Sequence, residues 1–415
     1  MHRSRRRPPF PWGLVLGGAF LLIVLVSLNF YLLQRLQGGG EMRFLWEGLR
    51  LFWYSDADLY SQVQSQPLRS GFEQVTAFAV RRFDVPLPFL LLLSPLVLLP
   101  SGEWAAAVGL LVLEVAIPLT LFLALQMAEW PLRRIWQVGL LLLAVFWPYS
   151  FLGWKQVAPF WLFLALLHLG LLAFRSRQDE LAGAIWSLLT LRWEATAGAL
   201  LFLTFYVVRK RRWRVLAGAG MFLFLIYNVA FLITPGWFLP FLRAVAFNLR
   251  QGFGLDLMAG LLAFFPPLPF SPTWALRLGV YAWLILEWRL ASLEERPLAF
   301  YWTLNLTLAL TPFLGLRTDA PELTMLFPSL LVIAALTWKR WPRYGLWLPF
   351  LLLLVGFSVP WALWRQALTF PQEERWMQAF YLFPSAFALI GLYWLRWSLF
   401  RPRTWLDRVR SGDVI

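Results

Sequence analysis

Apolar runs of roughly 15–28 residues recur along the whole chain, and short polar or basic segments separate them. Each run is about as long as the ~20-residue α-helix that crosses a hydrocarbon core of ~30 Å. The runs do not show the strict polar–apolar alternation of the ~10-residue strands in a membrane β-barrel. The pattern therefore predicts an all-α, polytopic integral membrane protein with about 12 transmembrane helices in a single domain.

The polar segments divide this domain into parts. From the N-terminus we predict a basic tail, a first span, a loop, a helical core, an interfacial or re-entrant stretch, C-terminal helices and a second basic tail, at residues 1–9, 10–34, 35–84, 85–233, 234–272, 273–400 and 401–415. Prolines interrupt the interfacial or re-entrant stretch, and irregular backbone at membrane depth has to line protein or a cavity.

One apolar run is unusually long. Residues 181–208 would make a helix of about 42 Å, and Arg192 and Glu194 lie near its middle. The run is predicted either as one tilted span or as two short helices that meet at Leu191–Glu194. In the second case the basic segments that flank the run would lie on the same side of the membrane.

Charge and composition change the picture in two ways. The net charge is +15, but the basic residues cluster in short loops and in the two tails, which favours positive-inside loops over nucleic-acid binding. With about twelve spans, both termini are then predicted to be cytoplasmic. The chain has no cysteine and only two histidines, which excludes cysteine chemistry and a multi-histidine metal site.

The loop over residues 35–84 is the longest stretch without an apolar run, and loops of that length are usually functional. We expect short interfacial helices in it, at Glu41–Trp53 and Leu59–Val63. Asp56 and Asp58 lie between them, flanked by aromatic residues. A carboxylate outside the hydrocarbon can stay ionised and accept a proton from a hydroxyl, although two aspartates in a loop can also be simply solvated.

The order of several motifs resembles the GT-C superfamily of membrane glycosyltransferases, and glycosyltransferase family 87 in particular. That family has an aspartate in the first outer loop with an aromatic residue four positions on, as Asp56 and Tyr60 are here. Partial matches follow over residues 10–230, with Val85 and Ala195 departing from the family pattern. They include Phe83–Pro88, Ser94–Leu96, Leu152–Gln156, Arg175–Gly183 and Leu191–Ala195.

The resemblance implies an inverting transfer of a sugar, possibly mannose in this family, from a polyprenyl-phosphate donor to a lipid or glycan acceptor. It implies a site on the extracytoplasmic face of the bacterial cytoplasmic membrane and no metal or other cofactor. Asp56 is the implied catalytic base. The candidate substrate-binding residues are Asp58, Tyr60, Gln156, Arg192, Glu194, Arg243 and Arg250. Of these, Arg192 is the candidate phosphate partner, because a guanidinium binds phosphate oxygens in a bidentate manner.

Other interpretations stay open at this point. Arg192 can instead pair with Glu194 or another acid, Gln156 can be an interfacial anchor, and Arg243 and Arg250 can meet lipid headgroups. The loop Arg317–Glu322 can close over the site or simply be solvated. For the whole chain, the alternatives to an enzyme are a transporter or flippase for a lipid-linked or small solute, and a catalytically inactive family member.

Overall fold

The computed structural model describes residues 12–55, 59–60, 63–67, 78–251, 255–265, 272–294, 296–316, 318–370 and 372–399. Nearly all of this part is helical. The helices α1–α17 are Trp12–Leu36, Gly40–Tyr54, Leu87–Leu93, Gly102–Met127, Arg134–Phe146, Pro148–Gln156, Phe160–Arg175, Asp179–Ser187, Trp193–Arg209, Trp213–Ile233, Phe238–Gln251, Leu257–Leu262, Thr273–Leu293, Pro297–Leu310, Phe327–Arg340, Trp347–Thr369 and Glu374–Leu399. Shorter 3-10 helices occur at Ser94–Leu98, Leu188–Arg192, Thr311–Phe313, Ala320–Leu326 and Pro342–Tyr344. The strands β1 (Val63–Pro67) and β2 (Phe78–Arg82) form one antiparallel pair.

Several long apolar helices indicate a protein embedded in a membrane. Within the described residues, 6 helical segments are long and apolar enough to cross, or up to 8 if each of two bent helix pairs counts as one span. The expected number of about twelve spans stays a prediction. Some predicted spans are realised as shorter pieces: Pro95 stands at the point where α3 gives way to the 3-10 helix Ser94–Leu98.

The long run with Arg192 near its middle folds back on itself. Its helical segment, Asp179–Arg209, is one of the 6 counted above by length and composition alone, and with 31 residues a straight helix would place its ends ~45 Å apart. Instead the ends meet, because the Arg212 guanidinium donates hydrogen bonds to the Asp179 carboxylate and, at 3.0 Å, to the Phe174 carbonyl. The chain therefore reverses at Leu188–Arg192, and α8 and α9 form a hairpin with this 3-10 helix at its tip.

Helices in the middle of the domain are buried on all sides. From Leu298 to Leu310 nearly every residue of α14 is buried, and the same holds for most of α15. By contrast, α10 exposes large apolar side chains such as Phe224 and Leu232, as expected for a helix that faces lipid. One side of α10 crosses α8 closely, since a Cβ atom on Gly183 would lie 1.9 Å from the Val215 carbonyl oxygen.

Helix α2 turns sharply away from α1. The two helices differ in direction by 109°, and the turn contains Gly39 with a φ of 85°, which glycine adopts without strain. The helix predicted at Glu41–Trp53 is thus confirmed, with Phe44, Leu45 and Leu49 on its buried face. The short helix predicted at Leu59–Val63 is wrong, because Leu59 and Tyr60 lie in a turn and Val63 begins β1.

Residues 234–272 were predicted to be interfacial or re-entrant, and their described part contains two short helices, α11 and α12. Helix α11 has 14 residues, fewer than the ~20 needed to span a bilayer. It packs against β2, which brings it next to the chain segment that leads into α3. This packing places one end of α11 at the cavity described next.

Candidate functional site

A small cavity, partly open to solvent, lies where distant segments of the chain converge. Five carboxylates and one guanidinium line it among the described residues, which makes it strongly polar for a membrane-embedded chain. The lining residues are Glu41, Asp84, Gln156, Ala158, Phe160, Arg192, Glu194, Val245, Asn248, Leu316, Asp319, Pro321 and Glu322. They come from α2, from the segment before α3, from α6, α7 and the link between them, from the hairpin tip, α9 and α11, and from residues 316 and 319–322.

Arg192, at the tip of the α8–α9 hairpin, forms an ion pair with Glu41 at the start of α2. Its Nη2 atom lies 2.5 Å from Glu41 Oε1, and the two side chains are 14% and 16% exposed. The guanidinium also lies over the ring of Phe160, with 5.6 Å between Cζ and the ring centroid. Two segments that are 151 residues apart in sequence are thereby joined at the cavity wall.

Three further carboxylates line the cavity near Arg192. Glu194 follows the hairpin tip, while Asp319 and Glu322 belong to the segment that begins the 3-10 helix Ala320–Leu326. The charges of Glu194, Asp319 and Arg192 all act on the carboxyl group of Glu322. Carboxylate oxygens in this arrangement can accept hydrogen bonds from the hydroxyls of a polyol, and one of them can serve as a general base.

Asp84 is held in place by a fully engaged amide. Asn248 of α11 donates from Nδ2 to Asp84 Oδ2 at 2.8 Å and to the Arg82 carbonyl at 2.9 Å. Its Oδ1 atom accepts the Arg82 backbone N–H at 3.0 Å, so both ends of the amide have partners and its orientation is fixed. Asp84 therefore presents its carboxylate to the cavity in a defined position, as a positioned base requires.

An apolar groove lies directly behind one wall of the cavity. The short segment from α6 to α7 separates the two spaces: Gln156, Ala158 and Phe160 line the cavity, whereas Val157 and Pro159 line the groove. The other groove residues are Met42, Leu45, Phe89, Leu92, Leu93, Pro95, Leu96, Val108, Gly109, Val112, Leu113 and Leu162. A polar space and an apolar space that share a wall suit a ligand with a polar head and an apolar chain.

Three of the predicted substrate-binding residues, Gln156, Arg192 and Glu194, line the cavity together. Tyr60 is buried instead, where its hydroxyl donates to the Val85 carbonyl at 3.1 Å and its ring packs against Phe241. Arg243 lies on an exposed side of α11.

The remaining predicted residues are not placed by the structure. Asp56 and Asp58 lie outside the described residues, as does the side chain of Arg250. The roles predicted for these three stay predictions, and so does the role predicted for Arg243.

Sequence reasoning did not select four of the carboxylates that line the cavity: Glu41, Asp84, Asp319 and Glu322. Two signals for them were present. Asp84 stands in the Phe83–Pro88 motif that opens the next helix. Asp319 and Glu322 stand in the loop that could either close over the site or simply be solvated. Glu41 had no such signal, because the sequence pattern indicates only that it is one polar position of an amphipathic helix.

Two further findings concern metal ligands and similar proteins. Within the described ranges, no group of three or more His, Cys, Asp and Glu residues is arranged to hold a metal ion. No protein-family model, curated protein or solved structure matches the chain.

Proposed function

We propose that this protein is an inverting membrane glycosyltransferase of the GT-C type. It would move a sugar, in the resembling family mannose, from a polyprenyl-phosphate donor to a lipid or glycan acceptor. The observation that carries the proposal is the shared wall at Gln156–Phe160, which separates a cavity with a guanidinium and carboxylates from an apolar groove. A lipid-linked sugar has the matching division into a polar head and an apolar chain.

The donor would lie across this wall. Its isoprenoid chain would occupy the groove beside Val157 and Pro159, and its phosphate would meet Arg192. Phosphate oxygens would compete with Glu41 for the guanidinium, which offers several N–H donors. The positive charge is useful in the transition state, because negative charge grows on the departing phosphate as its bond to the anomeric carbon breaks.

The acceptor hydroxyl needs a base on the opposite face of the sugar. The base takes the hydroxyl proton while the acceptor oxygen bonds to the anomeric carbon and polyprenyl phosphate leaves, which inverts the configuration. The resemblance assigns this role to Asp56. Asp84, fixed by Asn248 at the cavity, is the described carboxylate whose position suits the same role.

The hairpin supports an extracytoplasmic site. The basic residues at its two ends, Arg175–Arg177 and Arg209–Arg212, lie together because Arg212 binds Asp179. The positive-inside rule places such an end in the cytoplasm. The tip with Arg192 then points toward the extracytoplasmic side of a bacterial cytoplasmic membrane. Because the hairpin does not cross the membrane, cytoplasmic placement of both termini requires that one other predicted segment also fails to cross.

Asparagine substitutions test the base directly. Whichever of Asp56 and Asp84 is the base, its substitution by asparagine lowers the kcat of sugar transfer from polyprenyl-phosphate mannose by about 10²–10⁴-fold. Asp58→Asn, the matched control two residues from Asp56, has a milder effect. Retained transfer in both the Asp56 and Asp84 variants would exclude both carboxylates as the base.

A transporter or flippase is the second candidate, and the hairpin is the observation that favours it. Discontinuous helices with charged residues near the middle of the membrane often form substrate sites in transporters. This function predicts movement of the lipid-linked substrate across the membrane without any covalent change. Assaying transfer and flux in the same vesicles therefore distinguishes the two.

A further inference from the structure

Two cavity carboxylates, Asp319 and Glu322, lie on a short segment that leads into the 3-10 helix Ala320–Leu326 and that we name the acidic loop (Thr318–Glu322). Its first residue is tied to a distant part of the chain. The backbone N–H of Leu255 donates to the Thr318 carbonyl and the N–H of Thr318 donates to the Leu255 carbonyl, both at 3.0 Å. This isolated antiparallel bridge is independent of the helices on either side of the loop.

The Leu255 side of this bridge is fixed in turn by a partly buried ion pair. Asp256 caps the first turn of α12, where its Oδ1 atom accepts the backbone N–H groups of Met258 and Ala259. Its other oxygen, Oδ2, binds Arg277 of α13, whose side chain is 9% exposed. One carboxylate thus joins α12 to α13 directly beside the bridge to the acidic loop.

Arg277 also packs against the chain that leads into the acidic loop. A Cβ atom on Gly315, which has a φ of +95°, would lie only 3.2 Å from Arg277 Cζ. One turn further along α13, the Tyr281 hydroxyl donates to the Leu314 carbonyl at 2.7 Å. Helix α13 therefore holds the approach to the loop from one side, while the bridge holds Thr318 from the other.

We infer that Arg277 is a positioning residue, which acts through Asp256 and the Leu255–Thr318 bridge to hold the carboxylates of the acidic loop at the cavity. Arg277 does not line the cavity itself. Without the Arg277 guanidinium, Asp256 loses its ion-pair partner and the Leu255–Thr318 bridge opens more often. Asp319 and Glu322 then spend less time at the cavity. Only the effect on catalysis rests on the proposed function; the effect on the loop does not.

Cysteine labelling measures how often the acidic loop opens, independently of any activity. The chain has no native cysteine, so only an introduced one reacts. Thr318 is 5% exposed, so the variant Thr318→Cys should react slowly with a maleimide. Adding Arg277→Gln should make this reaction faster by on the order of tenfold, because the site opens locally more often. Arg289→Gln, an exposed position on the same helix, is the control and should leave the rate unchanged.

A designed disulfide tests whether closing the Leu255–Thr318 bridge restores the function lost in Arg277→Gln. Residues that exchange both backbone hydrogen bonds have Cα atoms ~5.5 Å apart. This separation suits a disulfide, so oxidised Leu255→Cys/Thr318→Cys should close the bridge covalently. With Arg277→Gln alone, kcat for transfer should fall by on the order of tenfold or more, with KM nearly unchanged. Oxidation of the protein that carries Leu255→Cys, Thr318→Cys and Arg277→Gln should restore kcat. The kcat of Arg277→Lys should lie between that of the parent protein and that of Arg277→Gln.

The outcomes separate the two proposals. Unchanged Thr318→Cys labelling in Arg277→Gln, or a loss of kcat that the disulfide does not restore, would overturn the positioning role. A change in labelling accompanied by no transfer even in the parent protein would support the role of Arg277 and refute the proposed enzyme.

Discussion

Replacing Arg192 by glutamine removes the guanidinium from the hairpin tip and leaves Glu41 without its partner. The two side chains are 14% and 16% exposed at the cavity wall. At an effective dielectric constant of ~20, charges ~4 Å apart attract by about 4 kcal/mol before desolvation is subtracted. Because the pair borders a cavity that is partly open to solvent, we expect the single substitution to lower the free energy of unfolding by about 2–3 kcal/mol.

A double-mutant cycle isolates the pair from other effects of each substitution. Arg192→Gln and Glu41→Gln should each destabilise the protein, and the double variant should be more stable than the sum of the two predicts, by about 1–2 kcal/mol. Arg214→Gln, at an exposed position of α10, is the control and should have little effect. The free energy of unfolding is measured by denaturant titration in detergent micelles.

Transfer kinetics then test the role of Arg192 in the reaction. Arg192→Gln should lower kcat/KM for a polyprenyl-phosphate sugar, while Arg192→Lys, which keeps the charge but loses the planar fork, should retain part of it. Additive stability effects in the cycle would refute the pairing with Glu41. Unchanged kcat/KM in a folded Arg192→Gln protein would refute the contact with phosphate.

The remaining predictions concern the groove, a helix crossing and the cavity amide. Val112→Trp, at an exposed position that lines the groove, should fill it, so that KM rises more for a long-chain donor than for a short-chain analogue; an equal rise for both would contradict the role of the groove. Gly183→Val should lower the melting temperature in detergent, since overpacking costs about 1–3 kcal/mol, and parent-like melting would contradict the close crossing with α10. Asn248→Ala should lower kcat by on the order of tenfold and add little to Asp84→Asn; fully additive effects would mean that the amide does not act through Asp84.

The membrane-embedded, helical character of the chain could be predicted because the apolar runs are long enough to cross a bilayer by themselves. The direction of the chain within residues 181–208 could not, since a tilted span and a hairpin have the same apolar composition. The deciding contacts, from Arg212 to Asp179 and Phe174, join residues more than 30 positions apart. A pattern read along one run does not contain such information.

The candidate site was predicted in part for a related reason. Arg192 and Glu194 were selected because charges within an apolar run are unusual, and Gln156 because of its place in a motif. Glu41 looked ordinary, since its importance depends on the sharp turn at Gly39 that brings α2 back toward Arg192. Arg277 could not be selected either, because its role arises from an ion pair and a backbone bridge between distant segments.

The central claim is that the cavity beside the apolar groove transfers a sugar from a lipid phosphate. The most direct measurement uses the full-length protein in liposomes with polyprenyl-phosphate radiolabelled mannose and a bacterial membrane lipid extract as the source of acceptor. If the cavity transfers a sugar, label appears in a new product, and this product is lost in Arg192→Gln but not in Arg214→Gln. Label that remains in unaltered donor while the donor crosses the bilayer would contradict the account and identify a transporter.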